Sequence, residues 1–169
     1  MRVKHIIISS VILAIVAFSY TSDIFSGKEA QVRRRFRHLV QFVTVNESVP
    51  ALERILKAKK VDRYFAEKIV GTLHFNDDQS RTKEVKKTDI VNYLLAAYRN
   101  SSEVTCEILS DHYSLNEEGV VAKIKLRIFG KEFSNTDRYL EEFDLTLLYE
   151  MIDGEWKIKQ VEASRVEDR

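Results

Sequence analysis

The stretch that decides the fold is Asp153-Gly-Glu-Trp-Lys-Ile-Lys-Gln-Val161. An Asp-Gly pair between two runs of alternating apolar and polar side chains is the strongest short-range signal for a β-hairpin. A two-residue turn here predicts that Tyr149 pairs with Ile158 and that Glu150 pairs with Lys157. Because successive side chains of a strand point to opposite faces, the hairpin is expected to have one apolar and one charged face.

The same period of two holds in four segments after Ser102, namely residues 103–112, 120–129, 139–152 and 155–161. These segments predict an antiparallel meander whose inward side chains are aliphatic or aromatic apart from Gln160. Closing the second turn over residues 130–137 predicts two ion pairs across the strands, Lys123 opposite Asp144 and Lys125 opposite Glu142.

Helical spacing dominates the chain before the meander. A first helix after Gly27 is expected to bury one stripe, formed by Val32, Phe36, Leu39, Val40 and Val43. A second helix is predicted to be capped by Ser48, with Pro50 in its first turn, and to end near Ala58. A short helical piece at Val61, Tyr64 and Phe65 is predicted to follow it, and then a strand over 67–75. A polar loop or hairpin over 76–87 then leads to Thr88, the expected N-cap of a third helix over 89–99.

This order of elements resembles the nuclear transport factor 2-like superfamily over residues 28–169. The most specific likeness is the acidic-Gly-x-Trp-x-Ile-x-x-Val string that starts at Asp153, and the Thr88-Asp-Ile-Val-Asn-Tyr-Leu segment is similar to the helix before the meander of bacterial members. The resemblance implies an α+β cone in which three N-terminal helices pack on a curved antiparallel sheet around a cavity. The superfamily includes ketosteroid isomerases, polyketide cyclases, dehydratases, binding modules and membrane-anchored secretion-system subunits, so the fold alone does not select a function.

The N-terminus predicts a membrane segment. Arg2 and Lys4 precede an apolar run from Ile6 to Tyr20, and no small-x-small cleavage site follows Ala17. Residues 1–27 are therefore expected to form an uncleaved, helical signal-anchor, which would place the chain in a bacterial inner membrane as a single-pass protein with domain 28–169 outside the cytoplasm. Secretion after cleavage and a cytoplasmic domain are the alternatives.

A basic cluster follows this segment. If the domain faces the cytoplasm, its four arginines could contact anionic lipid headgroups, and otherwise they form a solvated helix face. The four are Arg33, Arg34, Arg35 and Arg37. Because the chain has a net charge of +1 and no stacking platform of aromatic residues is interleaved with this basic cluster, nucleic acid is not expected as a partner.

Few residues suggest catalysis. The single cysteine, Cys106, cannot form a disulfide or a zinc cluster within the chain, and neither a metal nor a cofactor is expected. An isomerase or cyclase of this fold needs a general base inside the cone, and the candidates are Asp62, Tyr64, His74 and Tyr93, followed by Tyr98, His112 and Tyr113. No pair of them has a recognisable spacing.

The leading hypothesis is therefore a membrane-anchored, non-catalytic binding or assembly module of the bacterial envelope, whose cone takes an envelope protein or a small apolar ligand. The alternative is a small-molecule isomerase, cyclase or dehydratase. The sequence leaves the oligomeric state open, and a dimer through the charged face of the sheet is one option.

Overall fold

The computed structural model of the protein describes residues 27–76, 79–133 and 138–166. The predicted membrane segment from Ile6 to Tyr20 lies outside these residues. None of the helices in the described ranges is both long enough and apolar enough to cross a bilayer.

The described ranges contain three α-helices and one short 3-10 helix, as the spacing predicts. They are α1 (Lys28–Val43), α2 (Ala51–Lys60), the 3-10 turn (Val61–Tyr64) and α3 (Lys87–Asn100). The amphipathic stripe of α1 buries Val32, Phe36 and Leu39 against the sheet. The helix is thus held by packing of one apolar face, while the opposite face stays in solvent.

The predicted helix caps are wrong. Ser48 does not cap α2, because its backbone N–H and its hydroxyl both bind Oδ1 of Asn46, at 3.1 and 2.6 Å, and Pro50 takes the cap position instead. Helix α3 begins at Lys87, so Thr88 lies inside its first turn. The N–H of Lys86 donates to Oδ2 of Asp89 at 3.3 Å, which supplies the side-chain contact expected at a helix start.

Six strands of the described part of the chain form one sheet. They are β1 (Phe65–Asn76), β2 (Gln79–Lys86), β3 (Ser101–Leu115), β4 (Val120–Glu132), β5 (Arg138–Ile152) and β6 (Glu155–Val166). The sheet order is β2-β1-β6-β5-β4-β3, which confirms the four-strand meander and shows that the polar segment before α3 is the second arm of a hairpin. Strand β1 runs parallel to β6, so the sheet is mixed and not wholly antiparallel as predicted.

The Asp-Gly hairpin has the predicted register, with Tyr149 opposite Ile158 and Glu150 opposite Lys157. The register predicted across the β4–β5 turn is wrong by two residues, because the pairing continues along β4 to Lys131, which lies opposite Arg138. Lys123 lies opposite Thr146 and Lys125 opposite Asp144. The Lys125 ammonium nevertheless reaches Glu142 diagonally, at 3.4 Å.

Because β6 contains a bulge, the residues on its inner face differ from those that the sequence predicts. Leu148 pairs with Gln160 and Tyr149 with Ile158, so Lys159 is an extra residue in β6. An extra residue reverses the alternation of side chains beyond it. As a result Val161 faces the interior, whereas Gln160 donates to a carboxylate oxygen of Glu162 at 2.9 Å.

Two buried clusters hold the domain. The larger one lies between α1 and the concave face of the curved sheet, and it is centred on Phe36, Ile124, Leu147, Tyr149 and Ile158. The smaller one joins α2, α3 and the start of β3 through Val45, Ala58, Tyr98 and Val104. The Tyr98 hydroxyl lies 2.7 Å from the carbonyl oxygen of Val43, which ties α3 to the end of α1.

Beside the smaller cluster lies a buried arginine that the helical pattern does not predict. Arg54 of α2 is only 6% exposed. Its guanidinium group donates to four backbone carbonyl oxygens at 2.6–3.0 Å, those of Asn46, Val49, Ser101 and Ser102. Arg54 therefore holds α2, the loop before it and the start of β3 together.

Candidate functional site

An apolar cavity lies inside the cone, between α1, α3 and the concave face of the sheet. It measures about 400 Å³, and its lining surface is wholly apolar. Buried side chains form its base, namely Phe36, Leu39, Ile69, Leu126, Leu147 and Ile158. The cavity is therefore suited to an apolar molecule held by shape and by removal of apolar surface from water.

The strand pattern explains why the cavity is apolar. Inward positions alternate along β4 and β5, and the bulge in β6 adds Val161 to the same surface. Gly71 of β1 lies opposite Val161 in the parallel pairing and also lines the cavity. Because Gly71 has no side chain, the space above it stays open.

The cavity reaches solvent on the side of α3. Tyr93 lies there with 61% of its surface exposed, next to half-buried Ile90 of α3 and Val85 of β2. The mouth is therefore bordered by α3 and by β2, where the sequence predicts a loop or hairpin.

Of the four principal catalytic candidates, only Tyr93 lines this cavity. Asp62 lies in the 3-10 turn, and Tyr64 is buried beneath the guanidinium of Arg35, 4.9 Å above its ring. His74 lies in β1 between Ser80 and Ser164 of the neighbouring strands. The structure thus does not bring the four candidates together around one reacting centre.

The three remaining catalytic candidates, Tyr98, His112 and Tyr113, lie in three different environments. The Tyr98 hydroxyl binds backbone carbonyls at the end of α1. His112 is exposed and pairs with Lys123. Tyr113 is buried beneath the guanidinium of Arg33, which lies 5.0 Å from its ring, and burial raises its pKa to about 12.

The side chains of the four arginines of α1 lie on two different sides of the helix. Arg33 and Arg37 each lie 3.6 Å from a carboxylate oxygen of Asp111 on β3. Arg35 points to the other side of the helix, where it donates to the carbonyl oxygen of Arg63 at 2.7 Å. Arg34 is exposed and lines the same side. They therefore do not form one uniform face.

Cys106 offers a chemical probe of the interior, because it lines the cavity and burial raises the pKa of its thiol to about 11. Only the thiolate reacts with maleimides. We expect alkylation of the folded chain to be slow at neutral pH and to accelerate by about tenfold for each pH unit up to about pH 11. Mass spectrometry of N-ethylmaleimide-treated protein measures this rate. A plateau near pH 8.5, the usual pKa of an exposed thiol, would contradict the prediction.

The described domain resembles several solved structures. A candidate calcium/calmodulin-dependent protein kinase II association domain from Xanthomonas campestris superimposes with a TM-score of 0.59 at 16% identity, covering 85% of this chain and 91% of that one. A candidate dehydratase of the nuclear transport factor 2-like family from Streptomyces avermitilis gives a TM-score of 0.59 at 10% identity, with 83% and 96% covered.

A third similar structure is a candidate scytalone dehydratase from Novosphingobium aromaticivorans, with a TM-score of 0.57, 9% identity and coverage of 82% and 83%. No protein-family model and no curated protein matches the chain. At these identities the likeness concerns the fold and not the activity. The chain therefore has the nuclear transport factor 2-like fold, an α+β cone of three α-helices on a curved, mixed, six-stranded sheet.

Proposed function

We propose that this protein is a non-catalytic binding module whose cone holds a small apolar ligand. The observation that carries the proposal is the cavity of about 400 Å³ with a wholly apolar lining. Pockets of roughly 300–1,000 Å³ are typical of small-molecule sites in proteins. The ligand class that fits is a neutral, mainly hydrocarbon molecule, because a charged group would lose its hydration without gaining a partner in this lining.

The side chains around the cavity support binding in preference to catalysis. Isomerisation or dehydration needs a positioned group that takes up a proton near neutral pH. Among the residues that the structure describes, those that line the cavity include no carboxylate and no histidine. The Cys106 thiol stays protonated because burial raises its pKa. The dehydratases among the similar structures keep the enzyme alternative open, and it would need a base brought to the cavity from elsewhere.

We also propose that residues 1–27 anchor the domain in a bacterial inner membrane, with the domain outside the cytoplasm. The support is the apolar run from Ile6 to Tyr20 after two basic residues. Reporters that are active only outside or only inside the cytoplasm, fused to the C-terminus of the full chain, distinguish the two orientations. Activity of the inside reporter alone would overturn the orientation, and release of the chain from membranes would overturn the anchor.

The cavity can be filled by one substitution, Gly71→Leu. A Cβ built on Gly71 meets its nearest neighbour, the carbonyl oxygen of Lys83, at 3.7 Å, which is ordinary contact. The leucine side chain would then extend into the cavity. We expect naphthalene, used as an apolar probe, to raise the thermal unfolding midpoint of the full chain by several degrees and to leave that of Gly71→Leu unchanged, because ligand binding stabilises only a folded state that can accept the ligand.

Val70→Leu is the matched control, since Val70 is the neighbouring residue and points to the outer face, where it is 38% exposed. It should respond to naphthalene as the unmodified chain does. Calorimetry of all three proteins in the same detergent makes the comparison, because the micelles withdraw the same share of naphthalene from each. No shift in the unmodified chain, or an equal shift in Gly71→Leu, would refute binding in the cone.

A further inference from the structure

The outward side of α2 is apolar, although the outward side of a surface helix is usually polar. Leu52, Ile55 and Leu56 are 70%, 41% and 50% exposed. Because they are spaced by three and four residues, they form one stripe along the helix, which we call the α2 stripe. Arg54 and Ala58 lie on the opposite side, where they are buried against the rest of the domain. The described part of the chain therefore leaves the α2 stripe in contact with water.

A groove of about 490 Å³ continues the apolar surface on the Ile55 side of the α2 stripe. It lies between α2 and α3, and Val49, Leu95 and Phe133 are among its apolar lining residues. Phe133 is 64% exposed, so it adds to the apolar surface in contact with water. Among the described residues, α2 contributes none to the lining of the cone cavity, so this surface is separate from the proposed ligand site. A contiguous exposed apolar patch of this kind is typical of a surface that contacts another molecule.

The charged residues of α2 favour contact with a second copy of the same helix. Glu53 lies in the first turn, and Lys60 is the last residue of α2. Because they are seven residues apart, both lie on one flank of the α2 stripe, and this flank is opposite to the groove. Neither side chain forms an ion pair with a described residue, and the Lys60 ammonium lies 5.8 Å from the centre of the Phe42 ring. Within the described ranges, this flank thus has an acidic group at one end and a basic group at the other, and neither charge is neutralised by an ion pair.

We propose that the α2 stripe binds the α2 stripe of a second copy of this chain, with the two helices antiparallel about a two-fold axis. In this arrangement like flanks meet, so that Glu53 of one copy lies beside Lys60 of the other and the apolar groove flanks face each other. Both charges are then paired, and the apolar side chains of the stripe are removed from water. A parallel two-fold arrangement would instead place the charged flank of each helix against the apolar groove flank of the other. The contact is independent of the ligand proposed for the cone.

Disulfide cross-linking of the full chain in phosphatidylcholine vesicles tests this arrangement. Pairing of Glu53 with Lys60 places the two-fold axis next to Leu56, so the two copies of position 56 would be neighbours. We expect Leu56→Cys, in a Cys106→Ala background, to form disulfide-linked dimers under mild oxidation. Leu52→Cys is the matched control, because Leu52 belongs to the same stripe and is more exposed. Its two copies would be about 13 Å apart along the helices, which is too far for a disulfide.

A charge exchange separates the contact itself from an effect on folding. Added to the Leu56→Cys variant, Glu53→Lys should slow cross-linking by about fivefold, because it replaces two attractions in each dimer with two repulsions. Adding Lys60→Glu as well restores opposite charges across the contact. It should return the rate to within about twofold of that of Leu56→Cys alone, whereas a damaged fold would not be repaired by a second substitution.

Three results would overturn the proposal, namely no disulfide-linked dimer of Leu56→Cys, equal cross-linking of Leu52→Cys, and no recovery of the rate after the double charge exchange. Preferential cross-linking of Lys123→Cys, which lies exposed on the charged face of the sheet, would also overturn it and assign the contact to that face. A chain that stays monomeric while the vesicles protect Leu56→Cys from a water-soluble maleimide would overturn it in favour of a lipid surface.

Discussion

Replacing Arg54 with Met is expected to lower the free energy of unfolding by about 4 kcal/mol, because a buried charged group would be removed from the partners that surround it. Methionine keeps much of the apolar stem but cannot donate to the four carbonyl oxygens that Arg54 binds. Those oxygens would remain buried or half-buried without their present donor, and each such loss costs about 1–3 kcal/mol at full burial. Urea unfolding of the full chain, followed by circular dichroism, measures the change.

The matched control is Lys59→Met on the same helix, because Lys59 is exposed. It should change the free energy of unfolding by no more than about 0.5 kcal/mol. Arg54→Lys should fall between the two, since an ammonium group keeps the charge but cannot reach four acceptors in the planar arrangement of a guanidinium. A loss below about 1 kcal/mol for Arg54→Met would mean that water replaces the guanidinium at these carbonyls.

Gly119→Ala is expected to destabilise the protein by about 3 kcal/mol, because the added methyl group would overpack a crowded site. Gly119 lies in the turn between β3 and β4, where a Cβ would overlap the carbonyl oxygen of Tyr149 on β5 and lie 3.1 Å from its carbonyl carbon. Backbone atoms in the middle of a sheet cannot move aside as a flexible side chain can. The midpoint and slope of urea unfolding give the size of the effect.

Gly154→Ala tests whether this loss comes from the steric overlap. Gly154 has a φ of 78° in the β5–β6 turn, but a Cβ there meets no atom within 4 Å. Its replacement should therefore cost only about 1–2 kcal/mol, the usual price of a left-handed conformation for alanine. If both variants lose the same stability, steric overlap with β5 is not the reason that position 119 requires glycine.

Local signals in the sequence were sufficient for the helices and for the β5–β6 hairpin. The Asp153-Gly154 pair determines both the turn and the register, so Tyr149 is correctly placed opposite Ile158. The sequence of β2 predicts only a loop or hairpin, because its eight residues include a single apolar side chain, Val85. Strand β2 forms because its backbone pairs with β1, which is a contact that its own composition does not encode.

The candidate site, like the fold, could be predicted from the sequence only in part. An apolar interior follows from the alternation along β4 and β5, and it was predicted. The bulge at Lys159 was not predicted. The sequence pattern therefore predicts that Gln160 faces the interior, whereas in the structure Val161 does. The surroundings of Arg35 also escaped prediction, because its partners Arg63 and Glu155 belong to elements that lie far from it in the sequence.

The parallel pairing of β1 with β6 has a consequence for the order in which the chain can fold. Phe65 can pair with Ile158, its partner in β6, only after the residues of β2 to β5 that lie between them have been synthesised. During synthesis the ribosome releases β1 and β2 long before β6, and an isolated two-stranded hairpin has little stability in water. Such non-local pairings also slow folding, because the intervening loop must close before the contact contributes. We therefore expect the inner surface of α1 and β1 to be completed only after the residues of β6 have been synthesised.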